Sequence, residues 1–523
     1  MAPRPWHQAV FLAVLTGVVF TRSLPAEFVY DARMQVLTDG FIHDARNWPD
    51  VLTGRVLARD VLDFNRPVHL ASLMADAALW GHAPFGYHLT SILLHTVNVI
   101  LVWALVRRFV TRQPPLVPLA AAGLFALHPV VVEAVCEPSY REDLLAACFT
   151  LAGLVVALGH DPRRPRRDPW RAAACGIACV LAVASKEAGI AAPLLLAVLW
   201  RLTGGDEPSR FWRPAVIGGT ILVLAFLAAR FLLEPHPSRI FTERPHYPGG
   251  SFAMALALMP RILSLDAQLV VFPVNLCADY GVASLAHLPL PVAIVVLGSL
   301  AIAATTAIRR DRRMLLATCL VVLPLLPVLN LVPIYRPAAD RYLYLPLAGV
   351  AVAVACLLDR VWLAAHAGGR RWLVAAACVV CGLLGLACIQ RQAVWNSSLA
   401  LWQDTLGRNP ASATAAQGLG EALRDAGRLD EAEQAIRQAI RLTGGRGDAL
   451  ATLGLILDEQ GRDAEAARVL EAAVAADPRL ADPDALVAAL AMERPMAADL
   501  KRLQARRRAA APADAPASAD RPN

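Results

Sequence analysis

Residues 180–200 read VLAVASKEAGIAAPLLLAVLW. Two uncharged apolar runs meet at a tip, Ser185-Lys186-Glu187-Ala188, that carries one cation and one anion. Runs this apolar suit helices solvated by hydrocarbon, and the charged pair between them belongs at the membrane surface. The lysine is itself unusual, since of 50 basic residues only Lys186 and Lys501 are lysines.

The same alternation runs outward from this tip in both directions. With 57% of its 523 residues hydrophobic and 18% charged, the chain is too apolar for an ordinary soluble protein. Spans are expected near 8–22, 88–106, 116–132, 144–160, 172–185, 188–202, 214–233, 289–307, 314–333, 342–358 and 373–389, eleven in all. Arginine clusters at 107–112, 163–171, 201–213, 309–313 and 360–371 fall between them, the pattern of cytoplasmic loops. The net charge of +7 is therefore a topological signal and not a nucleic-acid footprint. This bias puts the N-terminus inside and the C-terminus outside. The first run follows MAPRPWHQ without a small-residue cleavage site and is expected to be a retained signal anchor. The apolar segment 251–276 would invert the side of RRDRR if it crossed, so it is expected to dip and return or to lie in the interface. Most of the ten cysteines lie inside apolar runs and read as small packing residues, with Cys136 and Cys277 open to an oxidising compartment.

After residue 390 the hydropathy collapses and a period of 34 emerges. Leu419, Gly420, Leu423, Gly427, Ala432, Ile436 and Ala439 recur as Leu453, Gly454, Leu457, Gly461, Ala466, Leu470 and Ala473. That spacing identifies tetratricopeptide helix pairs, in which small residues let helices approach and larger ones fill the space between repeats. The expected organisation is a multi-span domain over 1–389 with a long extracytoplasmic loop at 23–87, a linker at 390–409, a repeat domain at 410–508 and a disordered tail at 509–523. Within the repeat domain, the amphipathic stretch 484–508 is a candidate cap.

On this topology nearly every unusual polar residue gathers on the non-cytoplasmic face. Asp31, shielded by Tyr30 and Val29, is placed to accept a proton from a hydroxyl; its ordinary alternative is a cap or loop ion pair. Glu133, Arg141 and Asp143 share one short loop, where an arginine can bind phosphate while carboxylates orient it, or the loop can simply pair with itself. Lys186 is a point-charge ligand for a lipid-linked phosphate or a snorkelling anchor paired with Glu187. Arg341 is a second phosphate candidate, or an interface anchor beside Tyr342. His88, His95 and His128 read as hydrogen-bonded packing residues. No GxSxG, HExxH, P-loop or dinucleotide-binding motif is present, which leaves soluble hydrolase, nucleotide and dehydrogenase readings without support.

Taken in order, FVYDAR (28–33), NRPVHLASLMADAALWGHAPFGYHLTSILLHTVN (65–98), LHPVVVEAVCEPSYREDLLA (127–146), ASKEAGIAAPLLL (184–196), VVFPVNLCADY (270–280), AADRYLYLP (338–346) and RQAVWNSSLALW (391–402) resemble the transmembrane and tetratricopeptide-repeat O-mannosyltransferases, a family of C-type (GT-C) membrane glycosyltransferases. The resemblance implies an all-α polytopic helix bundle of the GT-C type followed by the repeats. It also implies an enzyme that moves a sugar, mannose or another hexose, from a polyprenyl-phosphate donor to a protein Ser or Thr, with inversion. Asp31 matches the first acid of the family's paired acidic motif, while Ala32 stands where a second acid is usual. That departure weighs against a metal-assisted version, leaving a divalent cation as the lesser alternative, and throws weight on Asp31 as general base. Lys186, Arg141 and Arg341 are then the expected donor-phosphate ligands, with Glu133, Asp143, Glu187 and Arg66 supporting them. The expected partners are the lipid donor, a polypeptide held by the repeats and the bilayer, in a bacterial inner membrane with the repeats periplasmic. The competing readings are a transferase of the same fold acting on a glycan or lipid, and a non-catalytic repeat scaffold.

Overall fold

The computed structural model describes residues 5–59, 61–110, 114–160, 168–203, 211–233, 247–286, 288–484 and 494–510. Among them every regular element is helical. The chain forms two compact units, Met1–Ala411 and Ser412–Asn523.

In the first unit six helices are long and apolar enough to cross a membrane: Pro84–Phe109, Pro214–Leu233, Phe252–Val271, Leu290–Arg310, Asp340–Ala364 and Ala367–Asn396. A seventh crossing results if Leu116–Leu127 and Pro129–Cys136, bent by 48°, form one broken span. Several helices turn large apolar side chains outward, including Ile302, Trp372 and Leu383, which in water would be a severe cost and in lipid is none. The chain is a multi-pass membrane protein. The expected spans at 144–160, 172–185 and 188–202 correspond to Arg141–Ala157, Asp168–Ser185 and Ala191–Thr203. At about 1.5 Å per residue the last of these rises only about 20 Å, short of a hydrocarbon core about 30 Å thick.

Phe252–Val271 is one continuous 20-residue helix and not a hairpin that dips and returns. Both of its ends are tied to one stretch of chain. Tyr247 donates to the Leu331 carbonyl at 3.4 Å, and Ile262, Leu269 and Leu276 share a core with Leu325, Ala338 and Leu343. Inside the bundle, polar pins fix helix register: Asn98 donates to Leu144 O at 2.9 Å, and His95 accepts from the Tyr344 hydroxyl at 2.8 Å while donating to Ala126 O at 3.2 Å. His128 likewise donates to Val270 O at 2.9 Å. All ten cysteines are free.

The stretch 390–409, expected as a linker, is instead folded into the first unit. Ala367–Gln392 runs into a 3-10 turn, and Ser398–Arg408 follows as a helix. Trp395 is fully buried, and Asn409 donates to Asp279 O at 2.9 Å. Two tryptophans in twelve residues demanded burial that a solvated linker does not provide.

The second unit is built from Ala413–Asp425, Leu429–Thr443, Gly447–Glu459 and Asp463–Ala476. Gly427 and Gly461, one period apart, take left-handed φ of 72° and 75° where each first helix ends, a conformation only glycine adopts without strain. The later helix Arg494–Ala510 buries Ala497, Leu500 and Leu503 against Ala451, Leu455 and Leu470. The expected disordered tail lies outside the described residues from 511 onward, as do Arg112, Arg163–Arg167 and most of the loop 234–250.

Candidate active site

The site is assembled from five chain segments that meet at the helix ends: 28–32, 63–66, 133–143, 186–187 and 336–342. Tyr30 has φ of 52°, rare for a bulky residue and costly by roughly 1–3 kcal/mol unless its surroundings impose it. Its ring is caged by Trp402, Tyr140 and Trp395 at centroid distances of 5.0, 6.0 and 6.5 Å, with the Arg336 guanidinium 5.5 Å away. The reversal at Tyr30 turns the half-buried Asp31 toward Tyr140, whose hydroxyl donates to Asp31 Oδ2 at 3.0 Å. The next residue, Ala32, donates its N–H to Glu137 Oε1 at 2.8 Å.

One aromatic ring separates Asp31 from the first cation. The Arg341 guanidinium lies 3.8 Å from the Tyr140 ring centroid, a cation–π contact that the desolvated setting strengthens. Glu133 grips Arg341 twice, pairing with its Nη1 and accepting its backbone N–H at 3.1 Å. Arg341 Nε is buried without a partner among the described residues. Tyr342 then bridges to the second cation, its ring lying 5.1 Å from Arg341 and 5.3 Å from the Lys186 ammonium. Lys186 donates to Asp143 at 2.5 Å and pairs with Glu142 at 3.0 Å. The sharp tip that presents it needs Gly189, where a Cβ would lie 2.2 Å from the Ala182 backbone.

Arg66 extends the array, binding Glu142, Asp63 at 3.0 Å and Glu187 at 3.0 Å, while Glu187 also pairs with Arg230 at 3.1 Å. Burial pushes the Asp63 carboxyl up to about 7, with Arg66 opposing and Glu142 and Glu187 adding to the rise. Burial also works against Glu187, but Arg66 and Arg230 overcome it and hold that carboxylate at about 2. Burial pushes Glu137 well above the ordinary carboxylate range, despite hydrogen bonds from Ser139 and Ala32. His69, fully buried, is held neutral for the same reason, its pKa pushed down to about 3.

Of the residues singled out from sequence, Asp31, Arg341, Glu133, Lys186, Asp143, Glu187 and Arg66 therefore join one network. Arg141 does not. Its side chain is fully buried, ion-paired with Asp76 at 2.5 Å and donating to Tyr87 O at 2.9 Å and Ser72 O at 3.3 Å. It clamps Pro67–Trp80 to Pro84–Phe109, because an unpaired arginine at that depth would be far costlier than one committed to a carboxylate. Sequence reasoning missed Asp63, Glu137, Tyr140 and Glu142. Glu142 was in view beside Asp143, but a tyrosine or glutamate in a loop carries no mark of the partner that folding brings to it. Among the described residues no group of three or more His, Cys, Asp or Glu is placed to hold a metal ion.

A tetratricopeptide repeat model matches residues 413–444. The chain is 27% identical to the protein O-mannosyl-transferase Tmtc2 of Drosophila melanogaster over 291 residues, 50% of this chain and 31% of the relative. It is 24% identical to Tmtc1 of the same fly over 530 residues, covering 82% and 60%, and 25% identical to human TMTC4 over 492 residues, covering 81% and 64%. It thus spans between about a third and two thirds of these relatives' lengths. A solved structure of ArnT from Cupriavidus metallidurans with undecaprenyl phosphate aligns with 97% of this chain and 79% of that one, at 16% identity and a TM-score of 0.43. The chain is thus a multi-pass membrane protein with a tetratricopeptide repeat, similar in sequence to the protein O-mannosyl-transferases of fly and human.

Proposed function

We propose that this protein is an inverting glycosyltransferase that carries a hexose, mannose by likeness to its relatives, from a polyprenyl-phosphate donor to a Ser or Thr hydroxyl of a polypeptide. The observation that carries this reading is the placement of a half-buried carboxylate, Asp31, one aromatic ring from Arg341, whose Nε has no partner among the described residues, with Lys186 one ring further on. Transfer with inversion needs a base on the acceptor and positive charge on the departing phosphate, and these groups supply both within one desolvated site.

Asp31 takes the proton of the acceptor hydroxyl as its oxygen attacks the anomeric carbon. The bond to the lipid phosphate breaks, and the phosphate leaves as an anion that needs no proton at neutral pH. Arg341 and Lys186 receive that charge, and Glu133 and Asp143 hold the two cations in place. Arg141 is assigned to packing. The two cations differ in availability: Lys186 is already shared by two carboxylates, so Arg341 is the principal ligand and Lys186 the one that exchanges a carboxylate for the phosphate. No divalent cation is invoked.

The arginines at the far end of Asp340–Ala364, where Arg313 pairs with Asp359 and Arg360 with Asp311, support a cytoplasmic location for that end and a periplasmic one for the site. We place the N-terminus in the cytoplasm and the repeats in the periplasm of a bacterial inner membrane. Stacked helix pairs favour an extended polypeptide as acceptor. The test is Asp31→Asn in membrane vesicles supplied with polyprenyl-phosphate mannose and a Ser/Thr-rich peptide. Transfer should fall about 100-fold or more while donor binding and folding persist. Full transfer by the variant would remove Asp31 as base, and transfer to lipid but not peptide would reassign the acceptor.

A further inference from the structure

Asp31 lies on a loop with Ala32 and no second acid beside it, yet its surroundings are not poor in polar contacts. They come from a different loop. The turn Pro138–Tyr140 and the residue before it present two side chains to the 30–32 reversal. Glu137, fully buried, takes the Ala32 N–H on Oε1 at 2.8 Å and the Ser139 hydroxyl on the same oxygen at 2.6 Å. Its Oε2 has no partner among the described residues. Burial holds this carboxyl well above the ordinary carboxylate range, which favours its protonated form, and the protonated acid still accepts through its carbonyl oxygen. Tyr140, three residues on, donates its hydroxyl to Asp31 Oδ2 and lays its ring face under Arg341.

We propose that Glu137 and Tyr140 are positioning residues for the Asp31 carboxylate, Glu137 by fixing the backbone that follows it and Tyr140 by orienting the carboxylate and tying it to Arg341. This inference rests on Asp31 being the base. It divides Tyr140 into two parts with different duties: the hydroxyl acts on Asp31 and so on the rate of proton removal, and the ring acts on Arg341 and so on the hold over the donor phosphate. Glu137 acts through its shape and its acceptor oxygen, with no charge required. The strained φ of Tyr30 supports the need for such a bed, because a reversal that costs energy persists only where neighbouring contacts over-determine it.

The test uses the full-length chain in membrane vesicles, with polyprenyl-phosphate mannose as donor and a Ser/Thr-rich peptide as acceptor. Tyr140→Phe keeps the ring and loses only the hydroxyl; kcat should fall about 10- to 100-fold with donor KM unchanged. Tyr140→Leu also loses the ring, so donor KM should rise several-fold on top of the same loss in kcat. Glu137→Gln keeps size and acceptor oxygen and should retain at least half of wild-type kcat, whereas Glu137→Leu should lose about as much as Tyr140→Phe. Thermal unfolding of each variant in detergent identifies any that fail to fold, and Tyr140→Phe and Glu137→Gln, which remove no more than a few atoms, carry the decision. Wild-type kcat in Tyr140→Phe, or a collapse of kcat in folded Glu137→Gln, overturns the proposal. Asp31→Asn measured alongside separates the two levels. If it is inactive while Tyr140→Phe is unimpaired, the positioning claim alone fails; if it is fully active, the base assignment fails and takes this inference with it.

Discussion

The two units handle charge in opposite ways. In the repeat unit several ion pairs are close in sequence and open to solvent: Arg428 with Glu431, three residues apart, has side chains 43% and 54% exposed. At the candidate site in the membrane unit they are distant and less exposed: Arg341 and Glu133 are 208 residues apart with side chains 8% and 1% exposed, and Arg66 reaches Glu187 across 121 residues with side chains 22% and 31% exposed. Exposed pairs gain little because water already solvates both partners. Buried charges must be paired or hydrogen-bonded to exist at all, and they are retained only where something repays the desolvation. The site is where that repayment makes sense.

Breaking a pair in each unit should expose the difference. Arg341→Ala leaves the Glu133 carboxylate buried and unpaired and should cost about 3–5 kcal/mol, read as a lower midpoint of denaturant unfolding in detergent. A loss near zero would mean that water reaches Glu133 and that the site is wetter than its packing suggests.

A smaller effect follows from Asp63. Its pKa near 7 in the folded chain lies above its ordinary value of 3.8, so the folded state binds this proton more readily than the unfolded one. Stability from this group is therefore greatest below about pH 4 and drains as the pH rises toward 7, by no more than about 1.4 kcal/mol per pH unit. Asp63→Asn, which also tolerates the left-handed φ of 50° at this position, should flatten the pH dependence of unfolding between 4 and 7 relative to wild type. An unchanged slope would show that Asp63 stays ionised beside Arg66. At the small end, Arg428→Ala should leave the unfolding midpoint where it was, and a clear drop would place that pair in a network instead of on a solvated face.

The same contrast governs how much could be read in advance. The repeats were legible because their determinants are local: Gly427 and Gly461 mark turns, and Ile436 and Leu470 mark equivalent buried positions, all within one period of 34. The spans were legible as apolar runs, but their lengths were not, since a helix end depends on where its neighbours and the tips allow it to stop. The stretch 390–409 was misplaced because its polar residues suggested a linker while its tryptophans, Trp395 and Trp402, were destined for Tyr30, more than 360 residues earlier. Asp31 and Lys186 stood out as ionisable residues beside apolar runs. Glu137 and Tyr140 did not, because nothing in CEPSY marks which of its side chains will meet residue 31.

By itself the sequence determined that this is an all-helical, multi-pass membrane protein with tetratricopeptide repeats, because hydrocarbon admits only helices or closed barrels and a fixed period admits only a stacked array. Only the tertiary structure decided that Arg141 serves packing while Arg341 lies across the Tyr140 ring from Asp31, and that the contacts beneath Asp31 come from residues 137–140. Both loops carry an arginine among acids, and what separates them is the burial and partners of each guanidinium, which depend on contacts between segments that the chain order keeps apart.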